Sequence, residues 1–278
     1  MWKNKRVLIT GSEGLIGREL SLLLETLGAK VFKADLKLGN NLTNPATCLQ
    51  ICQDKDCVFH LAGIKGSPKM TNESPLDFFE PMVMFNTNMI RSARICGVKQ
   101  FLYTSSIAVE HPETDFFPSW AKLTGEHQIE ASRIQYPEST KYVIVRPANI
   151  YGRFDNFKNP NAMVITSLIR KALDSRTKTL EVWGDGTQVR DFLNARDCAR
   201  GMIQAMEQMP EHPVNLCSGE GHTIAEIADI ISTRTNKPIK YNKSKPRGAD
   251  SRVMALNWDF KPIVDIVTGI EEVINWQT

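Results

Sequence analysis

The sequence predicts an α/β protein built on a doubly wound parallel sheet, and three observations predict it. The apolar run Arg6-Val7-Leu8-Ile9-Thr10 empties directly into Gly11-Ser12-Glu13-Gly14-Leu15-Ile16-Gly17. Strand and helix patterns then alternate through the first half of the chain. The strands read as continuous apolar runs, as strands covered on both faces do.

In order, the first strand stops at Thr10, a glycine turn follows, and a helix begins with Leu15, Ile16, Leu20, Leu23 and Leu24 as its apolar positions. It ends near Gly28, and the second strand, Lys30–Ala34, runs into Asp35. A polar turn over 39–45 leads to a helix reaching about Gln53, then a strand over Cys57–Ala62. A long helix over Pro75–Cys96, a strand over Gln100–Thr104, a helix over Trp120–Gln135 and a strand over Tyr142–Arg146 complete this half. The second half is mixed. It reads as a helix over Val164–Leu173, a strand over Leu180–Trp183, a Gly184-Asp185-Gly186 turn, a helix over Asp197–Met206 and a strand over Val214–Leu216. Helices over Ile224–Arg234 and Ile263–Trp276 close the chain.

Strand, glycine turn, helix, strand and acid in that order make a Rossmann-type dinucleotide site. The glycines let backbone amides approach a pyrophosphate, and the helix N-terminus offers unpaired N–H groups. An acid after the second strand accepts hydrogen bonds from both ribose hydroxyls and repels a 2′-phosphate, so Asp35 points to NAD, although Lys33 and Lys37 flank it. Ligands are expected at the carboxyl ends of the strands. Residues 1–148, with 191–207 returning to them, are expected to form the NAD-binding domain. Residues 149–190 and 208–278 are expected to form a smaller, mixed α/β substrate lobe.

Composition narrows the function classes. The 278 residues, 42% of them hydrophobic, suffice for a full core. A net charge of +3 argues against nucleic acid or a membrane surface as partner. No apolar run is long enough to span a bilayer and no signal peptide precedes the first strand, so a cytoplasmic protein is expected. The six cysteines, at 48, 52, 57, 96, 198 and 217, form no CxxC pair, and no metal site is expected from them.

Further stations along the chain resemble the extended short-chain dehydrogenases/reductases, in particular the NAD-dependent nucleotide-sugar epimerase/dehydratase group. They are the glycine turn, Asn41-Leu42, His60-Leu61-Ala62-Gly63, Thr104-Ser105-Ser106, Lys122-Leu123-Thr124-Gly125-Glu126, Arg146-Pro147-Ala148-Asn149-Ile150-Tyr151-Gly152, Arg190-Asp191-Phe192 and Arg247-Gly248-Ala249-Asp250. The similarity covers essentially the whole chain, and the segments around 151–157 and 161–165 look most like the GDP-fucose synthase branch. The resemblance implies cofactor contacts from Gly11, Glu13, Gly14, Leu15, Ile16 and Gly17, from Asp35, Leu36, Asn41 and Leu42, and from Leu61, Ala62 and Gly63. It adds Thr104, Lys122, Pro147, Asn149 and Ile150 around the nicotinamide. It implies substrate contacts from Ser106, Asn149, Val164, Trp183, Arg190, Arg247 and Asp250, and catalytic roles for Ser106 and Lys122. For Arg247 a solvated basic loop, and for Trp183 core packing, are equally good readings. The family also implies a homodimer packed through the helices near 76–97 and 120–135; a monomeric mass by light scattering at micromolar concentration would contradict it.

The implied chemistry is transient oxidation of a sugar carbon, usually C4. A Tyr phenolate takes the hydroxyl proton, a lysine four residues later lowers the Tyr pKa, and a Ser or Thr binds the reacting oxygen. Here the position four before Lys122 is Pro118, and no Tyr lies within ten residues of it. Three explanations stay open. One of Glu110, His111, Glu113 and Asp115 supplies the base; substrate hydroxyls or water relay the proton to Lys122 or Ser106; or the site binds without turnover. Ile107 and Ala108 after Ser106, and Met163 where a His is expected, remove the proton-transfer groups of 4,6-elimination and of 3,5-epimerisation. A C4 redox step or a 4-epimerisation of a nucleotide sugar survives, with a non-catalytic NAD and sugar-nucleotide binding protein as the alternative.

Overall fold

The computed structural model describes residues 1–64, 71, 73–110, 116–159, 162–245 and 251–278. Its centre is a six-stranded parallel sheet of β1 (Arg6–Thr10), β2 (Lys30–Ala34), β3 (Cys57–His60), β4 (Gln100–Thr104), β5 (Lys141–Pro147) and β9 (Val214–Leu216). The strand order is β2-β1-β3-β4-β5-β9. After β1 the chain first adds β2 on one side and then returns to add β3 on the other, so the order reverses between β1 and β3. That reversal opens a crevice at the carboxyl ends of these two strands. Register puts Thr10 beside both Ala34 and His60, His60 beside Tyr103, and Thr104 beside Val145. Gly11, Asp35, Leu61 and Ser105 therefore leave the sheet along one common edge.

The sheet is covered on both faces. Leu15, Leu20 and Leu24 of α1 (Leu15–Thr26) and Cys198, Met202 and Met206 of α6 (Ala195–Gln208) bury against one face. Cys48 and Cys52 of α2 (Pro45–Cys52), Met82, Phe85 and Met89 of α3 (Pro75–Ile95) and Ala121 and Ile129 of α4 (Phe116–Gln135) bury against the other. Five of the six cysteines are buried, Cys96 is half-buried, and none is in a disulfide. Burial pushes the Cys48 thiol up to about 12. No described helix is long and apolar enough to cross a membrane.

A third core joins α5 (Val164–Leu173), α7 (Ile224–Thr235) and α8 (Ile266–Gln277). Two small sheets surround it. In one, β8 (Val189–Asn194) pairs with β6 (Asn149–Tyr151), β10 (Gly221–Thr223) and β12 (Ser251–Arg252); in the other, β7 (Leu180–Trp183) pairs in parallel with β11 (Ile239–Asn242).

Four features differ from the sequence reading. Helix α4 begins at Phe116 rather than Trp120, because Pro118 lies in its first turn, where the missing N–H has no intrahelical partner to lose. Helix α8 begins at Ile266 rather than Ile263: the amides of Ile263 and Val264 are held by the buried Asp197 carboxylate, and Asp265 caps the helix through Val267 and Thr268. Strands β6, β8, β10, β11 and β12 have no counterpart in that reading. Strand β9, inside the stretch 208–278 expected for the substrate lobe, pairs with β5 in the main sheet.

Candidate active site

The glycine turn is a cradle that side chains would fill. Gly11 sits at φ +68°, and a Cβ there would lie 2.9 Å from the carbonyl carbon and oxygen of Leu61. A Cβ on Gly17 would run into the Gly11 carbonyl oxygen. Gly14 is the N-cap of α1 and makes no side-chain cap, so the first amides of that helix stay available to an anion. A cavity of about 380 Å³ lies over this turn, between Glu13, Gly14, Leu15, Ile16 and Gly17 on one side and Phe154, Asn156 and Met163 on the other. Glu13 is paired with Arg18 at 2.8 Å.

Asp35 ends β2 beside the turn. Its Oδ2 accepts from the Glu13 amide at 3.1 Å and its Oδ1 from the Lys37 amide at 2.9 Å, which fixes the carboxylate while leaving each oxygen further acceptor capacity. A second cavity, about 180 Å³, opens from it and is lined by Leu36, Asn41, Leu42 and Ala62. These residues fit an adenosine with its diphosphate on the cradle.

At the other end a cavity of about 350 Å³ is lined by Gly63, Thr104, Ser106, Lys122, Pro147, Asn149 and Ile150, and by Ile64, Pro118, Ser119 and Met163. Gly63 borders all three cavities, so they adjoin one another. Lys122 reaches in from α4, its Nζ donating to the Thr104 carbonyl at 2.7 Å. Burial pushes its ammonium down to about 8. Ser106 Oγ accepts from the Ala108 amide at 3.2 Å, and Asn149 Nδ2 donates to the Asp191 carbonyl at 2.9 Å.

Two buried polar networks support this floor. In the first, the Ala62 amide donates to Thr10 Oγ1, which lies 2.7 Å from His60 Nδ1; His60 Nε2 is 3.0 Å from Asn86 Oδ1. Asn86 Nδ2 donates to the Tyr103 hydroxyl, which donates to the Lys122 carbonyl at 3.0 Å. The loop after β3 is thus tied to the lysine helix through the core. In the second, Ser105 Oγ donates to Glu126, and Glu126 takes a bidentate pair from Arg146, Nε–Oε1 3.0 Å and Nη2–Oε2 2.6 Å. Tyr103, fully buried with its hydroxyl turned into the first network, is not a cavity group.

The His60 ring predicts a pH dependence. Burial, with a smaller push from the Lys122 charge, takes it from 6.5 down to about 3. The folded state therefore holds the ring neutral where the unfolded chain protonates it. This stability is present in full above pH 6.5 and is lost as pH falls toward 3. The stability of the wild type, from urea midpoints, should fall by up to about 1.4 kcal/mol per pH unit in that window, and His60→Gln should flatten the slope.

All the residues assigned to the cofactor by resemblance line one of the three cavities. The substrate residues divide. Ser106 and Asn149 line the nicotinamide-end cavity, whereas Val164 packs on the third core and the preceding Met163 takes the cavity wall. Trp183 is away from all three cavities, exposed on β7 between the Lys171 and Lys245 ammoniums at 5.0 and 5.5 Å. Arg190 lies on β8, its Nη1 donating to the Val189 carbonyl at 2.7 Å. Arg247 and Asp250 lie outside the described residues, as do His111, Glu113 and Asp115; Glu110 is 3.6 Å from Arg146. Phe154, Asn156 and Ser119 were missed as cavity residues, although Ser119 sits at helical spacing from Lys122; Pro118, read at the tyrosine position, lines the cavity.

A reversed-order parallel sheet carrying a glycine cradle, a ribose-level carboxylate and a buried lysine defines a dinucleotide-binding α/β protein. The chain belongs to the NAD dependent epimerase/dehydratase family, whose model matches residues 7–217. It is 27% identical over 320 residues to a dTDP-4-dehydro-6-deoxy-D-allose reductase of Streptomyces sp, covering 99% of this chain and 97% of that protein. It is 28% identical over 308 residues to GDP-L-fucose synthase 1 of Arabidopsis thaliana, covering 99% and 93%. A GDP-L-fucose synthetase from Naegleria fowleri bound to NADP superposes with a TM-score of 0.85 at 22% identity, over 99% of this chain and 93% of that one.

Proposed function

We propose that the protein is an NAD-dependent enzyme that modifies a nucleotide sugar by hydride transfer at C4, as a 4-epimerase or C4 oxidoreductase, in surface-glycan precursor synthesis. The observation that carries this is the run of adjoining cavities from Asp35, past the glycine cradle, to Lys122 and Ser106. When bound, the dinucleotide supplies the hydride chemistry. The chain binds its ribose through Asp35, its diphosphate through the amides of the turn, and its nicotinamide end beside Lys122. Ser106 Oγ hydrogen-bonds the reacting oxygen, and Ile64, Ile107 and Met163 give the cavity apolar walls. Relatives acting on dTDP- and GDP-sugars support the substrate class; a GDP-sugar is favoured by the 151–165 segment.

The test is absorbance at the NADH band after mixing NAD⁺-loaded protein with GDP-, UDP- and dTDP-hexoses, beside Lys122→Met, with NMR of the same samples for a new sugar isomer. A signal from one sugar that the variant loses supports the enzyme. Pro118 at the tyrosine position favours a second reading, a non-catalytic NAD and sugar-nucleotide binding protein. Silence in both measurements with sugar-nucleotide binding intact would establish that reading instead.

A further inference from the structure

Lys122 is the one titratable side chain lining the nicotinamide-end cavity among the described residues. The ring of Pro118, at the place of a phenol, lines the same cavity one helical turn away. Of the three protons on Lys122 Nζ, one goes to the Thr104 carbonyl. The other two have no partner among the described residues. Resting on the reading of this site as a nucleotide-sugar redox centre, we infer that Lys122 itself delivers the proton to the reacting oxygen, and that the reaction it serves is the reduction of a keto sugar.

The step balances. The carbonyl carbon gains a hydride from a reduced nicotinamide nucleotide, and the C=O π pair moves onto oxygen. An O–H bond forms there as one N–H bond of Lys122 breaks, leaving a neutral amine that solvent reprotonates. The products are the sugar alcohol and the oxidised nucleotide.

The charge form present near neutrality suits reduction. Burial brings the Lys122 ammonium down to about 8, yet it stays the major form there, and an ammonium can give a proton but not take one. Among the described residues no facing group reverses this. On β3, His60 is neutral. On β4 the Tyr103 phenol is held protonated by burial, with its ring centre 5.5 Å from Nζ. On β5 Arg146 is paired with Glu126 and lies 3.6 Å from Glu110. Reduction, which uses the ammonium, slows as pH rises through about 8; an oxidation using the free amine would speed up there.

The experiment compares wild type, Lys122→Arg and the double variant Lys122→Arg/Pro118→Tyr, using NADH and a panel of dTDP-, GDP- and UDP-4-keto sugars across pH 6 to 10. Arginine keeps the cation but does not release its proton, so kcat should drop by about 10²- to 10³-fold. NADH affinity, read by its fluorescence, should stay within about threefold because the charge is retained. The added phenol in the double variant should restore part of kcat. Independently of turnover, NMR of the ε-¹³C-lysine-labelled protein without cofactor should show one lysine titrating near 8, absent from Lys122→Arg. Wild-type rates from the arginine variant, a rate climbing through pH 8, or a Lys122 signal titrating at 10.5 would each overturn the inference. A wild type that neither reduces nor isomerises any sugar nucleotide would instead overturn the functional reading beneath it.

Discussion

Replacing Gly17 with alanine should abolish cofactor binding, lowering NAD⁺ affinity by more than about 100-fold in a calorimetric titration. The new Cβ would fall on the Gly11 carbonyl oxygen and lie 2.8 Å from Ser12 Cα, so every obstacle is backbone and none can swing aside as a side chain would. Nor can the turn retreat. Gly11 is at φ +68°, and its own Cα is packed so closely over β3 that a Cβ there would sit 2.9 Å from the Leu61 carbonyl. The turn must open, and its amides then no longer converge on one diphosphate. Some of the strain appears as lost stability, about 1–3 kcal/mol by analogy with overpacked cores. The control is Gly97→Ala, at φ +66° with nothing within 4 Å of the new Cβ. It should cost about 1–2 kcal/mol of backbone strain while leaving NAD⁺ affinity unchanged. Gly17→Ala protein that still binds NAD⁺ within about tenfold of wild type would defeat the cradle argument.

The same geometry explains what was legible in the sequence. β1, the glycine turn, α1, β2 and Asp35 are contiguous, and each is specified by local physics: an unbroken apolar run, the need for φ > 0 at Gly11, a 3.6-residue apolar period. The stations after β3, β4 and β5 were legible for a related reason. A parallel sheet delivers the ends of its strands to one edge, so a residue's place in the chain fixes its place in the cleft. The sequence is less informative where position depends on long-range pairing. Trp183 and Arg190 lie on β7 and β8, whose partners β11, β6 and β10 are short and far away in sequence. Val164 and Met163 differ by one residue, and only the docking of α5 on the third core decides which of them faces the cleft. The His60–Asn86–Tyr103 network was invisible because it joins three elements through register and has no motif spacing of its own.

Glu126→Ala should be the most destabilising single change beneath the candidate site, costing about 3–5 kcal/mol from chemical denaturation. Glu126 is 2% exposed. Its carboxylate accepts from Ser105 and from both arms of the Arg146 fork, and this pairing holds the Arg146 guanidinium above its ordinary pKa. Removing it strands a largely buried cation. Among the described residues a second acid, Glu110, is 3.6 Å from Nη1 and exposed, so it offsets part of the loss and favours the lower end of that range. The double change Glu126→Leu/Arg146→Leu separates two meanings of the result. If the pair's net attraction were the stabilising factor, the double variant would be as unstable as Glu126→Ala. If the cost is an unpaired buried charge, removing both charges should recover most of the stability, and that is the expected result. The recovered protein should still turn over poorly. Glu126 lies one turn beyond Lys122 on α4 and holds Ser105, the neighbour of Ser106, so the carboxylate orients the cavity floor as well as filling it.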